Sequence, residues 1–154
     1  MDIGNIITSE CIIPSLHATT KKQCLQELAD SASELTGLPQ RTIFETLLQR
    51  ERLGSTGLGH GIAVPHVKFK DLEDIVCIFA RANKPIDFEA PDDNPVDLIF
   101  LLLAPEHASG DHLKALSRIS HMLREPNISS QLRNLNDTKK ILQLLKHRAP
   151  ECAA

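Results

Sequence analysis

The sequence predicts an α/β fold in which helices pack on the faces of a mixed central β-sheet. Residues 75–80 and 96–104 form two nearly continuous apolar runs, with the length and β-branched content of strands that are covered on both faces. Stretches of helical spacing flank them on both sides. The order of a strand, two helices, several strands and then further helices fits such a sheet better than the regular alternation of a Rossmann fold.

Individual elements follow from the spacing of apolar residues and from cap and turn residues. Strands are expected at 12–18 (an edge strand, because of Pro14), 62–64, 75–80 and 96–104, with a hairpin-like excursion over 84–95. Helices are expected from the caps Thr19 and Thr20 to Gly37, at 40–53, from 108–110 onward, at 129–135 and at 138–147. The helix that starts at 108–110 carries Leu113, Leu116, Ile119 and Leu123 as its apolar residues.

Composition excludes several classes of function. The 154 residues are expected to form one domain, 1–154, with 42% hydrophobic and 24% charged residues. A net charge of −3 and an aromatic content of 3% argue against nucleic-acid binding. No apolar run reaches the length of a membrane span and the first residues lack signal-peptide features, so we expect a cytoplasmic protein without direct membrane insertion. Four scattered cysteines indicate buried or incidental thiols.

The segment from Arg50 to His66 carries the strongest chemical signal. A helix is expected to end there, and four of the chain's seven glycines follow between Gly54 and Gly61. The segment closes on His66, whose neutral imidazole is a good nucleophile near neutral pH. Arg50 borders the apolar stripe of its helix and can bend over the helix end to hold an anion. The alternative is a turn histidine beside solvated arginines that pair with Glu45 or Glu51.

A second histidine, His112, shares its helical face with Leu116, Ile119 and Leu123 and therefore points toward the sheet. It lies in the first turn of its helix, where N–H groups favour an anion. Its alternative role is that of a hydrogen-bonded core histidine.

The glycine-rich loop can present backbone N–H groups to an anion, with the Ser55 and Thr56 hydroxyls as further donors. It is neither a P-loop nor a dinucleotide-binding motif, and glycines are common in ordinary turns. The spacing of His60 and His66 is poor for one metal ion, so we expect no catalytic zinc site, and no motif in the segment predicts an organic cofactor. Five acidic residues predict a solvated turn, with a metal site as a remote alternative: Asp87, Glu89, Asp92, Asp93 and Asp97.

Together, Arg50-Glu51-Arg52, the glycine-rich loop and Gly61-Ile62-Ala63-Val64-Pro65-His66 resemble enzyme IIA of the phosphoenolpyruvate phosphotransferase system, mannitol/fructose class. Residues 50–56 resemble most closely the nitrogen-regulatory enzyme IIA, and 111–114 resemble the family's second-histidine region. His60 departs from the Asn common in nitrogen-regulatory members and the Glu common in mannitol-type members. The resemblance covers essentially the whole chain and implies a mannitol-type IIA fold.

The resemblance also implies roles for the matching residues. His66 would accept the phosphoryl group as a phosphohistidine, His112 would orient or stabilise it, and Arg50 would neutralise its charge. The donor would be a histidine-phosphorylated HPr-like carrier protein, and the phosphorylation state would regulate targets such as potassium-transport or sensor proteins. Two alternatives remain, a sugar-specific (fructose/mannitol) transport IIA component and a non-catalytic binding module with a vestigial histidine.

Overall fold

A computed structural model describes residues 7–107 and 109–153, apart from the side chains of residues 109, 111 and 147–153. The strands are β1 (Ile12–Leu16), β2 (Gly57–Gly59), β3 (Ile62–Ala63), β4 (His66–Phe69), β5 (Val76–Ile86) and β6 (Val96–Pro105). The helices are α1 (Lys21–Thr36), α2 (Gln40–Leu53), α3 (Ser109–Arg124), α4 (Pro126–Asn134) and α5 (Thr138–Ala153). A 3₁₀ turn, Ser9–Cys11, precedes β1.

All six strands join one mixed sheet in the order β1-β5-β6-β3-β2, and β4 also pairs with β6. The pairs β1–β5, β3–β6 and β4–β6 are parallel, whereas β5–β6 and β2–β3 are antiparallel. β1 lies at an edge of the sheet. Its Pro14 lacks the N–H group that a second neighbouring strand would need for pairing. The predicted mixed sheet and edge strand are confirmed.

Each face of the sheet is covered by its own group of helices. Helices α1 and α2 pack through Leu25, Leu28, Ile43 and Leu47 against one face. Helices α3, α4 and α5 pack through Ile119, Ile128, Leu132 and Ile141 against the other. Neighbouring residues of β5 and β6 alternate between the two faces, which explains why these strands are apolar throughout. The predicted helical layers are confirmed.

The boundaries differ from the sequence-based expectations where short or irregular elements are involved. β2 and β4 were not expected, and β5 continues to Ile86 into the segment assigned to an excursion. α4 begins at Pro126 because proline suits the first helical position, and α5 extends beyond residue 147. The expected start of α3 includes Ala108, which lies outside the described residues.

Leu113, one of the apolar residues of α3, lies outside the buried face of the helix and is 60% exposed. It follows the buried His112 by one residue, and a helical step of about 100° turns it toward solvent. Cys11, Cys24 and Cys77 are buried free thiols, as expected, and the side chain of Cys152 is among those not described. Within the described ranges, no helix has the length and apolar character needed to cross a membrane.

Candidate functional site

The site lies along one edge of β6, where β3 and β4 pair with it in succession. Ile62 pairs with Leu98 in β3, and His66 pairs with Leu102 in β4, so the register is unchanged across the interruption at residues 64–65. Side chains alternate along this segment. Ile62 and Val64 therefore pack on the α3 side, and Val67 packs on the α2 side. By the same alternation His66 projects toward α3.

The two predicted histidines meet at this edge. The ring centroids of His66 and His112 are 6.2 Å apart and the rings are tilted by 40°. His112, in the first turn of α3, is only 8% exposed, whereas His66 is half-buried at the surface. The expected inward orientation of His112 is therefore confirmed.

Arg50 reaches the same place from the opposite face of the sheet. A surface depression of about 370 Å³ is lined by Arg50, His66 and His112, together with Thr46, Gln49, Leu53, Val67 and Lys68. The Arg50 Nη1 atom donates to the Gly54 carbonyl oxygen at 3.0 Å, which keeps the side chain over the end of α2. The structure thus brings together all three residues that the sequence singled out, from α2, β4 and α3.

One hydrogen bond settles which nitrogen of His66 carries the proton. Its Nδ1 atom lies 2.8 Å from the carbonyl oxygen of Val64. Because a carbonyl oxygen only accepts, Nδ1 is the donor, and the neutral ring keeps its lone pair on Nε2. The backbone two residues earlier in the chain thus leaves Nε2 as the nitrogen with an available lone pair.

The environment of His66 favours the neutral ring. Burial lowers the pKa of His66, and the electrostatic interactions with Arg50 and His112 act in the same direction. The hydrogen bond to Val64 and the negative charge of Glu51 oppose this shift without cancelling it. A lowered pKa keeps the imidazole unprotonated near neutral pH, the form that can act as a nucleophile.

The glycine-rich loop does not turn its side-chain donors toward this site. The Ser55 hydroxyl donates to the Phe88 carbonyl at 2.5 Å, and the Thr56 hydroxyl and N–H both donate to the Glu51 carboxylate. The His60 N–H donates to Asp92 at 2.8 Å. The expectation that Ser55 and Thr56 serve an anion is therefore wrong, because these groups anchor the loop to the protein.

Sequence reasoning missed the importance of Glu51, which it treated as a surface partner for the arginines. The residue is 7% exposed, and its carboxylate pairs with Lys21 Nζ at 2.8 Å, at the start of α1. A signal for its burial was present: Glu51 follows Ile43 and Leu47 at intervals of four residues, on the buried stripe of α2. The partner Lys21, thirty positions away, had no such signal.

His60 lies apart from this site. It borders a groove on the α3–α4 side with Arg124 and Arg133, and its φ of 57° belongs to a tight turn between β2 and β3. Of the acidic group, Asp92 holds that turn and Asp97 pairs with Arg133 at 2.9 Å. A metal-binding cluster is not found among the described residues, so the remote metal alternative is not supported there.

Comparison with known proteins shows the family to which the chain belongs. The model of the family described as "Phosphoenolpyruvate-dependent sugar phosphotransferase system, EIIA 2" matches residues 5–148. The chain belongs to this EIIA family. Among its relatives is the "Nitrogen regulatory protein" of Bradyrhizobium diazoefficiens, which is 52% identical over 145 residues that cover 94% of this chain and 95% of that protein.

Solved structures agree with this assignment. The crystal structure of nitrogen regulatory protein IIA-Ntr from Neisseria meningitidis matches with a TM-score of 0.89 at 34% identity, covering 93% of this chain and 98% of that one. Mannitol IIA from Escherichia coli matches with a TM-score of 0.76 at 21% identity, covering 90% and 98%, which shows a shared fold. The expected family and the mannitol-type EIIA fold are confirmed.

Proposed function

We propose that this EIIA protein accepts a phosphoryl group on Nε2 of His66 from a histidine-phosphorylated HPr-like carrier protein, and that its phosphorylation state regulates partner proteins. The observation that carries this proposal is the hydrogen bond from His66 Nδ1 to the Val64 carbonyl at 2.8 Å. It leaves the lone pair on Nε2 at the surface depression that Arg50 and His112 line.

The step balances without a metal or an organic cofactor. The Nε2 lone pair of His66 attacks phosphorus, and a P–N bond forms as the P–N bond to the donor's histidine breaks. The donor ring, protonated on its other nitrogen, takes up the bonding pair and leaves as neutral imidazole. His66 keeps its proton on Nδ1 and gains positive charge, which strengthens the bond to the Val64 carbonyl.

Arg50 and His112 supply charge and hydrogen bonding around the transferred group. A guanidinium is suited to paired contacts with phosphoryl oxygens, and Arg50 is already held over the depression by Gly54. His112 is held in the rigid first turn of α3, so its ring needs little reorganisation when the phosphoryl group arrives. In this proposal, both residues stabilise charge that spreads over the phosphoryl oxygens during transfer.

The test is phosphorylation by phosphoenolpyruvate, the general enzyme of the system and an HPr-like carrier. We expect the wild type to gain one acid-labile phosphoryl group and His66→Ala to gain none, as read by intact mass. His121→Ala is the matched control, because His121 is an exposed histidine on α3 and should leave acceptance unchanged. Normal phosphorylation of His66→Ala would overturn the proposal.

Regulation is favoured over sugar transport by the nitrogen regulatory relatives at 52% and 34% identity. The sugar-specific alternative retains support from the family description, which names a sugar phosphotransferase system. Regulation and sugar transport differ in whether a permease domain accepts the phosphoryl group from His66. Rapid onward transfer from phosphorylated His66 to a fructose or mannitol permease domain would favour transport, whereas phosphorylation-dependent binding to a sensor or potassium-transport protein would favour regulation.

A further inference from the structure

A continuous hydrogen-bonded path connects the buried Glu51 to the imidazole of His66. The Glu51 carboxylate accepts from the Thr56 N–H at 3.2 Å and from the Thr56 hydroxyl. The Thr56 carbonyl accepts from the Val64 N–H at 3.0 Å. The Val64 carbonyl in turn accepts from His66 Nδ1 at 2.8 Å. The central link joins two main-chain groups, and the outer links tie the side chains of Glu51 and His66 to that stretch of main chain.

The other end of the path is equally well held. Lys21 Nζ pairs with Glu51 at 2.8 Å and also donates to the Phe88 carbonyl at 3.3 Å. Ser55 donates to that same carbonyl at 2.5 Å. The Glu51 side chain is 3% exposed, so water cannot replace these bonds when one is lost. The carboxylate therefore joins α1, α2 and the loop that leads to His66.

We propose that Glu51 is a positioning residue for His66. Glu51 acts through Thr56 and Val64 and holds the imidazole with its proton on Nδ1 and its lone pair on Nε2. The effect on phosphoryl transfer rests on the proposed function, whereas the effect on the ring does not. Glu51 does not line the depression, so it has no direct contact with the transferred group.

The charge of Glu51 explains why the amide is not an adequate replacement. In Glu51→Gln one oxygen still accepts from Thr56, but the amide nitrogen faces the Lys21 ammonium, and two donors then confront each other. The Thr56 segment must shift to relieve this contact. We expect the Val64 carbonyl to follow, since the Val64 N–H is bonded to Thr56.

The experiment compares Glu51→Gln with Glu45→Gln by ¹⁵N NMR of the His66 ring in the unphosphorylated full chain. Glu45 is a matched control because it lies on the same helix and is exposed, and pairs only with Arg41 among the residues that the structure describes. In the wild type and in Glu45→Gln we expect a single tautomer with Nδ1 protonated. In Glu51→Gln we expect a mixture of tautomers.

Two further readouts separate positioning from a general loss of structure. Glu51→Gln should lower the pKa of His66, because the negative charge of Glu51 and the bond to Val64 both raise it. It should also reduce the rate constant of phosphoryl acceptance by about 3- to 10-fold, the effect of weakening one hydrogen bond, with little change in KM for the carrier. Glu45→Gln should change neither quantity.

A folded Glu51→Gln protein whose His66 keeps one tautomer and an unchanged pKa overturns the inference, even when transfer is slower. Should Glu51→Gln fail to fold, Glu51→Asp decides by the same NMR readout, because it keeps the negative charge but shortens the side chain by one methylene, which takes the carboxylate away from the Thr56 N–H and hydroxyl. A tautomer mixture in that variant supports the inference and a single tautomer overturns it. A wild type that accepts no phosphoryl group refutes the proposed function alone.

Discussion

At the scale of single residues, the main chain sets the tautomer of His66, and burial and side chains set its electrostatic environment. The Val64 carbonyl selects the tautomer of His66 by accepting a hydrogen bond from Nδ1. Burial, Arg50 and His112 lower the pKa of the His66 ring. The neutral form of the ring therefore persists to a lower pH than is usual for a histidine. In the proposed function, the side chains of Arg50 and His112 also attract the phosphoryl oxygens. The proposed function therefore uses one arrangement both to keep His66 neutral and to stabilise the phosphoryl group that it receives.

Replacing Arg50 should reveal both its effect on the pKa of His66 and its effect on phosphoryl transfer. Arg50→Ala should slow phosphoryl acceptance by about 100-fold, the usual cost of removing one donor to a charged transition state. It should also raise the pKa of His66, because the guanidinium lowers it. The acid limb of the pH–rate profile should then move to higher pH. Rapid-quench kinetics and an NMR titration of His66 would measure the two changes.

Arg52→Ala is the control for this prediction. Arg52 sits in the same last turn of α2, is exposed, and does not line the depression. Its removal should leave the rate and the titration of His66 unchanged. Equal effects of the two variants would mean that general positive charge at the helix end matters, and that Arg50 has no specific place in the site.

At the scale of elements, the glycine-rich loop acts as a packed connection between α2 and β3. Three of its residues are bonded to groups outside the loop: Ser55 to Phe88, Thr56 to Glu51 and His60 to Asp92. Close packing explains one glycine in particular. A Cβ built on Gly57 would lie 2.9 Å from the Ala90 Cβ and 3.1 Å from its Cα, and a main-chain atom has no room to give way.

Gly57→Ala should therefore reduce the free energy of unfolding by about 1–3 kcal/mol, as overpacking does elsewhere. Gly54→Ala is the matched control, because its added Cβ meets nothing within 4 Å and its φ of 161° is extended backbone. That variant should change stability by no more than about 0.5 kcal/mol. Urea denaturation would measure both, and equal stabilities would contradict the packing argument.

The elements differ in how well the sequence predicted them. α1 and α2 could be located because their apolar residues repeat with helical spacing and Gly37, with φ of 78°, ends α1. β2 and β4 have three and four residues, too few for a periodic signal. They exist because β3 and β6 offer them pairing partners, and such partners are a property of the tertiary fold.

At the scale of the whole molecule, the site depends on helices that belong to opposite faces of the sheet. Arg50 comes from the α1–α2 layer and His112 from the α3–α5 layer, and they meet only because β4 lies at an edge. The sequence identified these residues by type and neighbourhood, but their meeting could not be read from spacing. The Lys21–Glu51 pair remained hidden for the same reason, since it links residues that are distant along the chain.

We expect the α1–α2 layer and the α3–α5 layer to unfold together, and the reactivity of the buried thiols can measure this. Burial raises the pKa of Cys24 to about 12 and raises that of Cys77 further, and the two lie in different layers. At about pH 8, near the ordinary range for a thiol, we expect both to resist iodoacetamide in the native protein. Peptide mass spectrometry across a urea series should show them reacting in parallel as the chain unfolds.

Early reaction of one thiol, before the global transition, would contradict this prediction and show that one layer opens alone. The reduced and unfolded chain is the reference, in which both thiols should react at similar rates. Because each thiol is read from its own peptide, the reactivity of Cys152 does not affect the comparison.

The unbroken register from β3 into β4 constrains how the length of the chain can vary. Ala63 pairs with Ile99 and His66 with Leu102, so residues 64 and 65 occupy the same number of positions as the β6 residues beside them. An insertion or deletion of one residue here would turn the imidazole to the opposite side of the sheet, away from His112. The turn before β3 is not bound by this alternation of side chains. We therefore expect insertions and deletions that still allow phosphoryl transfer to occur in that turn.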